Sequence, residues 1–372
     1  MTTRMPNSFS LYLDVLRVIA ALTVLLSHYP VSAAQAAITD QINFGYDAVI
    51  VFFVLSGYVI SHAVNTKETS PLIYSVNRIA RILPVAAVAI ALSYLLMVLM
   101  GPSNPHYYPD ASQLHNALYI AARTLFFTNE FWWTDIRPFG NGPYWSLAFE
   151  VWCYVLFGIA IFTRGRWRIC CLALVLLITG PKQWLMLPIW LAGVVAFNCR
   201  DKFVFSRGTL WALSLLPVVV FLGVQASNPR DWSYPLVGMH VEAMLGHGLD
   251  GAANFGWGYL LAALVAIHLF AVRRLCNADA APIKHGASVI RYLAAYTFSL
   301  YIYHYPLLMF WQATLVAERD IYEPGLRAVI YAGVLVPVFV LGYLVERRKV
   351  QVRTAIYAVL AAATRWSGFK GK

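Results

Sequence analysis

Leu11 to Tyr29, LYLDVLRVIAALTVLLSHY, decides how the chain is read. It approaches the ~20 apolar residues that a membrane-crossing helix needs, yet it carries Asp14, Arg17 and His28. As a helix it puts Arg17 and His28 on nearly one face, about 16 Å apart along the axis. Asp14, one turn before Arg17, is placed to pair with it. Arg17 could instead snorkel inward while His28 caps the outer end. Three ionisable groups on one span favour the other reading, because such groups are costly in lipid and face polar interiors. This face is therefore expected to line an active site.

The rest of the chain extends that reading. Of its 372 residues, 60% are hydrophobic and only 12% charged, which points to a polytopic membrane protein rather than a soluble one. The net charge of +11 would suit nucleic acid, but the basic residues sit in short clusters between apolar runs. Ten spans are predicted, at roughly 11–30, 44–64, 82–100, 143–163, 168–180, 183–199, 208–226, 255–272, 294–317 and 325–345. The fold class is thus all-α, a polytopic integral membrane helix bundle of about ten transmembrane helices. Basic clusters such as Arg78 and Arg81, Arg164 to Arg168 and Arg347 to Lys349 fall on one side. The other side holds only Arg123, Arg137, Lys182, Arg230, Arg319 and Arg327. This bias places both termini in the cytoplasm.

Residues 1–345 form the expected transmembrane domain and 346–372 a basic cytoplasmic tail. The tail's apolar run, Ala355 to Ala363, is too short to span and suits an interfacial amphipathic helix. Ser32 to Ala36 resembles a signal-peptidase site, but Asp14 and Arg17 interrupt the apolar core that cleavage requires. Cys153, Cys170, Cys171, Cys199 and Cys276 lie in spans or on the inner side, so no disulfide framework is expected. The first long outer loop, 101–142, is expected to be helical from Gln113 to Phe127, and the second, 227–254, is rich in Gly and polar residues.

Further groups could carry chemistry. In the second span, Phe52-Phe53-Val54-Leu55-Ser56-Gly57 has small residues that permit close helix approach, and packing alone would explain it. Arg78 and Arg81 offer two guanidinium forks one turn apart, suited to a phosphate-bearing ligand or to simple inner-face anchoring. Glu150, two turns into the fourth span, is expected at the depth of His28, where a carboxylate would set an imidazole's tautomer. His304 lies among aromatics in Ser299-Leu300-Tyr301-Ile302-Tyr303-His304, where a structural polar contact and a catalytic role are both open. His240, Glu242 and His247 are the available metal ligands in the outer loop, but they lack a motif, so no metal is expected. Outer aromatics including Trp132, Trp133, Trp145 and Trp232 could stack on sugars or form an interfacial belt.

Together these motifs resemble the membrane-bound acyltransferase-3 family of bacterial glycan O-acyltransferases. The matching residues are Leu13-Asp14-Val15-Leu16-Arg17 with His28, Phe52 to Gly57, Arg78 with Arg81, Trp145-Ser146-Leu147 with Glu150, and Ser299-Leu300-Tyr301 with His304. Where many relatives carry an acid just before the Phe-Phe pair, this chain has Val49-Ile50-Val51, with Asp47 the nearest acid. The resemblance implies an acyl-CoA donor, usually acetyl-CoA, loaded from the cytoplasm at a bacterial inner membrane, and a carbohydrate acceptor on the outer side. It assigns His28, Glu150 and Asp14 to catalysis and Arg17, Arg78 and Arg81 to the donor. It also assigns Trp145, Ser146, Tyr301 and His304 to substrate. His28 is then either general base or transient acyl carrier. A flippase or transporter for a glycan is the rival reading, since polar groups inside spans would equally line a pathway. Neither the acceptor glycan nor the oligomeric state is set by these motifs.

Overall fold

The computed structural model describes residues 5–30, 32, 35, 43–109, 111–276, 286–315 and 323–368, with side chains through residue 359. The cleavage-like segment around Ser32, apart from Ser32 and Gln35, lies outside the described residues. Each of the ten predicted segments contains a helix, and no strand occurs among the described residues. The first helices are α1 (Asn7–His28), α2 (Phe44–Thr66), α3 (Pro71–Met100), the short α4 (Ala117–Leu125) and α5 (Trp145–Phe162). There follow α6 (Gly165–Thr179), α7 (Pro181–Cys199), α8 (Arg207–Gln225), and the loop helices α9 (Pro229–Ser233) and α10 (Met239–Leu245). The chain continues with α11 (Phe255–Leu275), α12 (Ala287–Ala295), α13 (Thr297–Leu315), α14 (Pro324–Glu346) and α15 (Lys349–Gly368). Seven stretches have the length and apolarity to cross a membrane, those built on α1, α2, α3, α5, α8, α11 and α14. With 15 residues, α6 falls short of that length.

Boundaries moved where local capping outweighs hydropathy. The third helix starts at Pro71 rather than near 82 because Ser70 Oγ accepts from Ile73 N at 3.3 Å and Pro71 occupies the first turn. Arg78 and Arg81 are therefore well inside the helix, about two to three turns from its start, rather than at its first turn. The ninth predicted span is split at Tyr296 into α12 and α13. The second outer loop, predicted only as polar and Gly-rich, is folded into α9, α10 and intervening turns. In the tail, α15 is a helix that packs against α3. All five cysteines are free thiols.

The tightest crossing lies between α2 and α7. A Cβ on Gly57 would sit 2.1 Å from the Trp190 carbonyl oxygen, and one on Gly193 would sit 1.9 Å from that of Val54. The small residue ending the Phe52–Gly57 motif is thus explained by backbone approach. Helix α1 packs against α2, α12 and α13, and α13 packs in turn on α3 and α14. The Arg17 end of α1's polar face looks into the bundle.

Two buried charge clusters fasten the two long loops. Lys182, fully buried at the start of α7, donates to Glu130 Oε2 at 3.0 Å, to Asp250 Oδ2 at 3.2 Å and to the Thr134 carbonyl at 2.7 Å. Its three protons are all used. Asp47 accepts from Trp257 Nε1 at 2.7 Å, Gln225 Nε2 at 2.5 Å and Arg230 at 3.3 Å. Asp47 is therefore occupied in joining α2 to α8, α9 and α11, and Ile50 beside it is core.

Candidate active site

Helices α1, α2, α3, α5 and α13 converge on a narrow cleft of about 70 Å³. Its polar lining includes Arg17, Ser56, Arg81, Ser146, Glu150 and Tyr301. Arg17 and Arg81 also line a polar mouth beside it, together with Asp14, Arg291, Glu346 and Lys349. The two guanidinium groups thus stand where the mouth meets the cleft. Arg17 is ion-paired with Asp14 at 3.3 Å, and both side chains remain partly exposed. Arg81 is exposed, with no hydrogen bond or ion pair to any described residue. Arg291, on α12, is in the same state.

Arg78 differs from its neighbour one turn away. It pairs with Glu68, which also accepts from Asn77 Nδ2 at 2.9 Å. Its guanidinium lies 5.3 Å from the Tyr74 ring centre and 5.8 Å from that of Tyr154. It lines a separate, mostly apolar groove between α3 and α5. The two arginines, which spacing left open between a phosphate site and inner-face anchoring, are therefore divided between an ion pair and the open mouth.

Glu150 faces the cleft and is fixed by a chain of hydroxyls. Tyr154 OH donates to its Oε1 at 2.5 Å and lies 2.8 Å from Ser56 Oγ, which accepts from Trp190 Nε1 at 3.2 Å. No hydrogen bond or ion pair joins Glu150 to His28 among the described residues. The carboxylate instead shares the cleft with Arg17 and Arg81, where its charge offsets theirs.

His28 ends α1 and is exposed. Its ring packs 5.4 Å from that of His304 and 4.9 Å from that of Tyr305, centre to centre, and makes no hydrogen bond to described residues. It is not among the residues lining the cleft, whose walls on α13 end at Tyr301, about 4.5 Å short of His304 along the axis. Asp14 lies about 21 Å from His28 along α1, so it cannot act on a group held at that imidazole.

The sequence around His304 fixes its place. Pro306 has no N–H, so the Ile302 carbonyl loses its helical partner. Asn141, fully buried in the outer loop, supplies the replacement by donating from Nδ2 at 3.0 Å. On either side, Tyr301 OH donates to the Pro143 carbonyl at 2.9 Å and lies 2.6 Å from Ser146 Oγ, while Tyr303 OH donates to the Val85 carbonyl at 3.2 Å. The hydroxyls of Ser146 and Tyr301 thus close the cleft toward the histidines. Trp145 stacks on Tyr46 at 6.2 Å, meets Phe149 edge-on at 5.9 Å, and lies so close to Gly251 that any Cβ there would meet the indole. Asn141 escaped the sequence reading, although Pro306 was the sign that some donor must meet Ile302.

The outer-loop metal candidates do not gather. His240 bonds the Pro235 carbonyl at 3.0 Å, Glu242 accepts from Tyr234 OH at 2.6 Å and Leu249 N at 2.7 Å, and His247 stacks on Trp133 at 4.4 Å. No group of three or more metal-ligating side chains occurs among the described residues.

The bundle thus encloses a cleft that is cationic at its mouth and ends about one turn of α13 short of a pair of imidazoles, a lining suited to an anionic substrate. The comparison with known proteins narrows this: residues 10–358 match the acyltransferase domain of the acyltransferase-3 family, and the chain belongs to that family. An O-acetyl transferase of Shigella phage Sf6 is 24% identical over 306 residues, covering 79% of this chain and 83% of that protein. No solved structure matches. The protein is an integral membrane acyltransferase.

Proposed function

We propose that this enzyme transfers an acyl group, acetyl foremost, from acyl-CoA to a hydroxyl of a cell-surface or secreted carbohydrate. Arg17 and Arg81 hold the CoA phosphates at the cytoplasmic mouth, and exposed Arg291 adds to that field. Arg78, already answered by Glu68, contributes less. The pantetheine arm enters the cleft past Glu150 as far as Ser146 and Tyr301, and the wall formed by those two hydroxyls opens on binding to bring the thioester to His28. His28 takes the proton of the acceptor hydroxyl, the oxygen attacks the thioester carbon, and the departing CoA sulfur receives that proton. In the covalent variant His28 itself attacks first and carries the acyl group to the acceptor. Ten helices crossing a bacterial inner membrane, with both termini in the cytoplasm, would give donor and acceptor opposite sides.

The observation that carries this reading is the unpaired Arg81 guanidinium beside Arg17, at the inner mouth of a cleft between α1 and α13. Phosphates and guanidinium groups suit each other through charge-assisted hydrogen bonds. The test is His28→Ala in membrane vesicles given labelled acetyl-CoA. Transfer to surface glycan should fall about 100- to 10,000-fold, while the protein accumulates normally and still retains CoA. Undiminished acetylation would remove His28 from the chemistry, and loss of surface glycan itself would favour transport. Label trapped on the protein without acceptor would select the covalent variant.

A further inference from the structure

His304 combines complete burial with an unanswered polar atom. Its Nδ1 lies 3.0 Å from the Leu300 carbonyl oxygen and 2.9 Å from that of Tyr301. Both partners only accept, so Nδ1 carries the proton and Nε2 is left with a lone pair. That Nε2 is buried and has no hydrogen-bond partner among the described residues. A buried acceptor left unanswered is costly, and such atoms call for an explanation. Because Nδ1 turns back onto its own helix, Nε2 sits on the outward edge of the ring. The rings around it are His28 at 5.4 Å, Tyr305 at 6.3 Å and Tyr301 at 6.5 Å between centres. Tyr301 OH is already engaged by Pro143 and Ser146.

We infer that His304 is the positioning residue for His28: its Nε2 accepts the N–H of one His28 nitrogen, leaving the other nitrogen's lone pair to face the acceptor hydroxyl. The inference rests on the reading of His28 as the reacting imidazole. It gives His304, rather than Glu150, the task of fixing that imidazole's tautomer. The two rings are not hydrogen-bonded in this structure, and contacts of this kind tighten when substrate is bound. His304 cannot donate to His28, because its one N–H is held by Leu300 and Tyr301. The direction of the bond is therefore set by α13. During transfer His28 becomes doubly protonated, and the same Nε2 then accepts from the imidazolium until the proton leaves with the CoA sulfur.

Three substitutions separate this role from a structural one. His304→Asn keeps a donor near Nδ1 for the helix carbonyls but has nothing at the Nε2 position. His304→Gln places an acceptor oxygen near Nε2. His304→Leu has neither. Each is assayed for kcat and for donor and acceptor KM, per amount of folded protein, with His28→Ala in parallel. His304→Asn and His304→Leu should lower kcat about 10- to 100-fold with both KM values unchanged, and His304→Gln should recover most of the loss. Equal activity of the Asn and wild-type proteins would make the intrahelical bond the whole role and overturn the inference. A rise in acceptor KM at unchanged kcat would overturn it in favour of substrate contact. An active His28→Ala protein would instead defeat the reading of His28 itself, whatever the His304 variants do.

Discussion

Lys182 and Arg81 are both cations inside a largely apolar bundle, but their surroundings treat them in opposite ways. Lys182 is fully buried and gives all three protons to Glu130, Asp250 and Thr134. Arg81 is exposed to a polar mouth and gives none of its protons to a described residue. Asp47 and Glu150 repeat the contrast among the acids. Asp47 accepts three hydrogen bonds at loop junctions, while Glu150 accepts one from Tyr154 and otherwise faces the cleft. The charges around Lys182 and Asp47 are consumed in holding loops together. At the cationic mouth Arg17 and Lys349 have acidic partners, and Arg81 and Arg291 have none among the described residues. A charged group within a span is therefore weak evidence of function until its partners are counted.

The largest expected effect breaks the satisfied side. Lys182→Met leaves Glu130 and Asp250 without their cation and should cost about 3–5 kcal/mol of stability, read as an early thermal transition in detergent. Normal stability would mean that the outer cluster holds nothing together. Next comes the open side. Arg81→Gln should raise the donor KM about 10- to 100-fold through loss of charge-assisted bonds, with stability changed by less than about 0.5 kcal/mol. A stability loss matching that of Lys182→Met would erase the distinction between the two cations. The smallest effect concerns Asp14, whose pairing with Arg17 is partly exposed. Asp14→Asn should alter stability by less than about 1 kcal/mol and leave kcat unchanged, with donor KM falling because Arg17 is freed. A large fall in kcat would return Asp14 to the chemistry despite its distance from His28.

Much of this was legible in the chain. Each of the ten segments located by hydropathy contains a helix, seven stretches being long and apolar enough to cross a membrane. Ionisable residues led to Arg17, Arg81 and Glu150 and the family resemblance to Ser146 and Tyr301, which the fold gathers in one cleft. Pairings across helices were not legible. Arg78 and Arg81 look equivalent in sequence, and only the turn before α3 shows that Glu68 takes one and leaves the other. Glu150 was expected beside His28 on depth alone, but helix rotation turns it toward the arginines instead. His28 and His304 are 276 residues apart, and nothing local in either segment announces that α1 and α13 pack side by side. The early start of α3 was readable from Ser70-Pro71, a capping signal that hydropathy ignores.

Pro306 gives the region around the histidines an unusual dependence. By withholding one rung from α13, it leaves the backbone just before His304 relying on a side chain that belongs to another part of the chain. The seat of a deeply enclosed ring is thereby wired to the loop ahead of α5, through Asn141. Any rearrangement of that segment on docking a sugar would be felt first at Ile302, two residues from the imidazole.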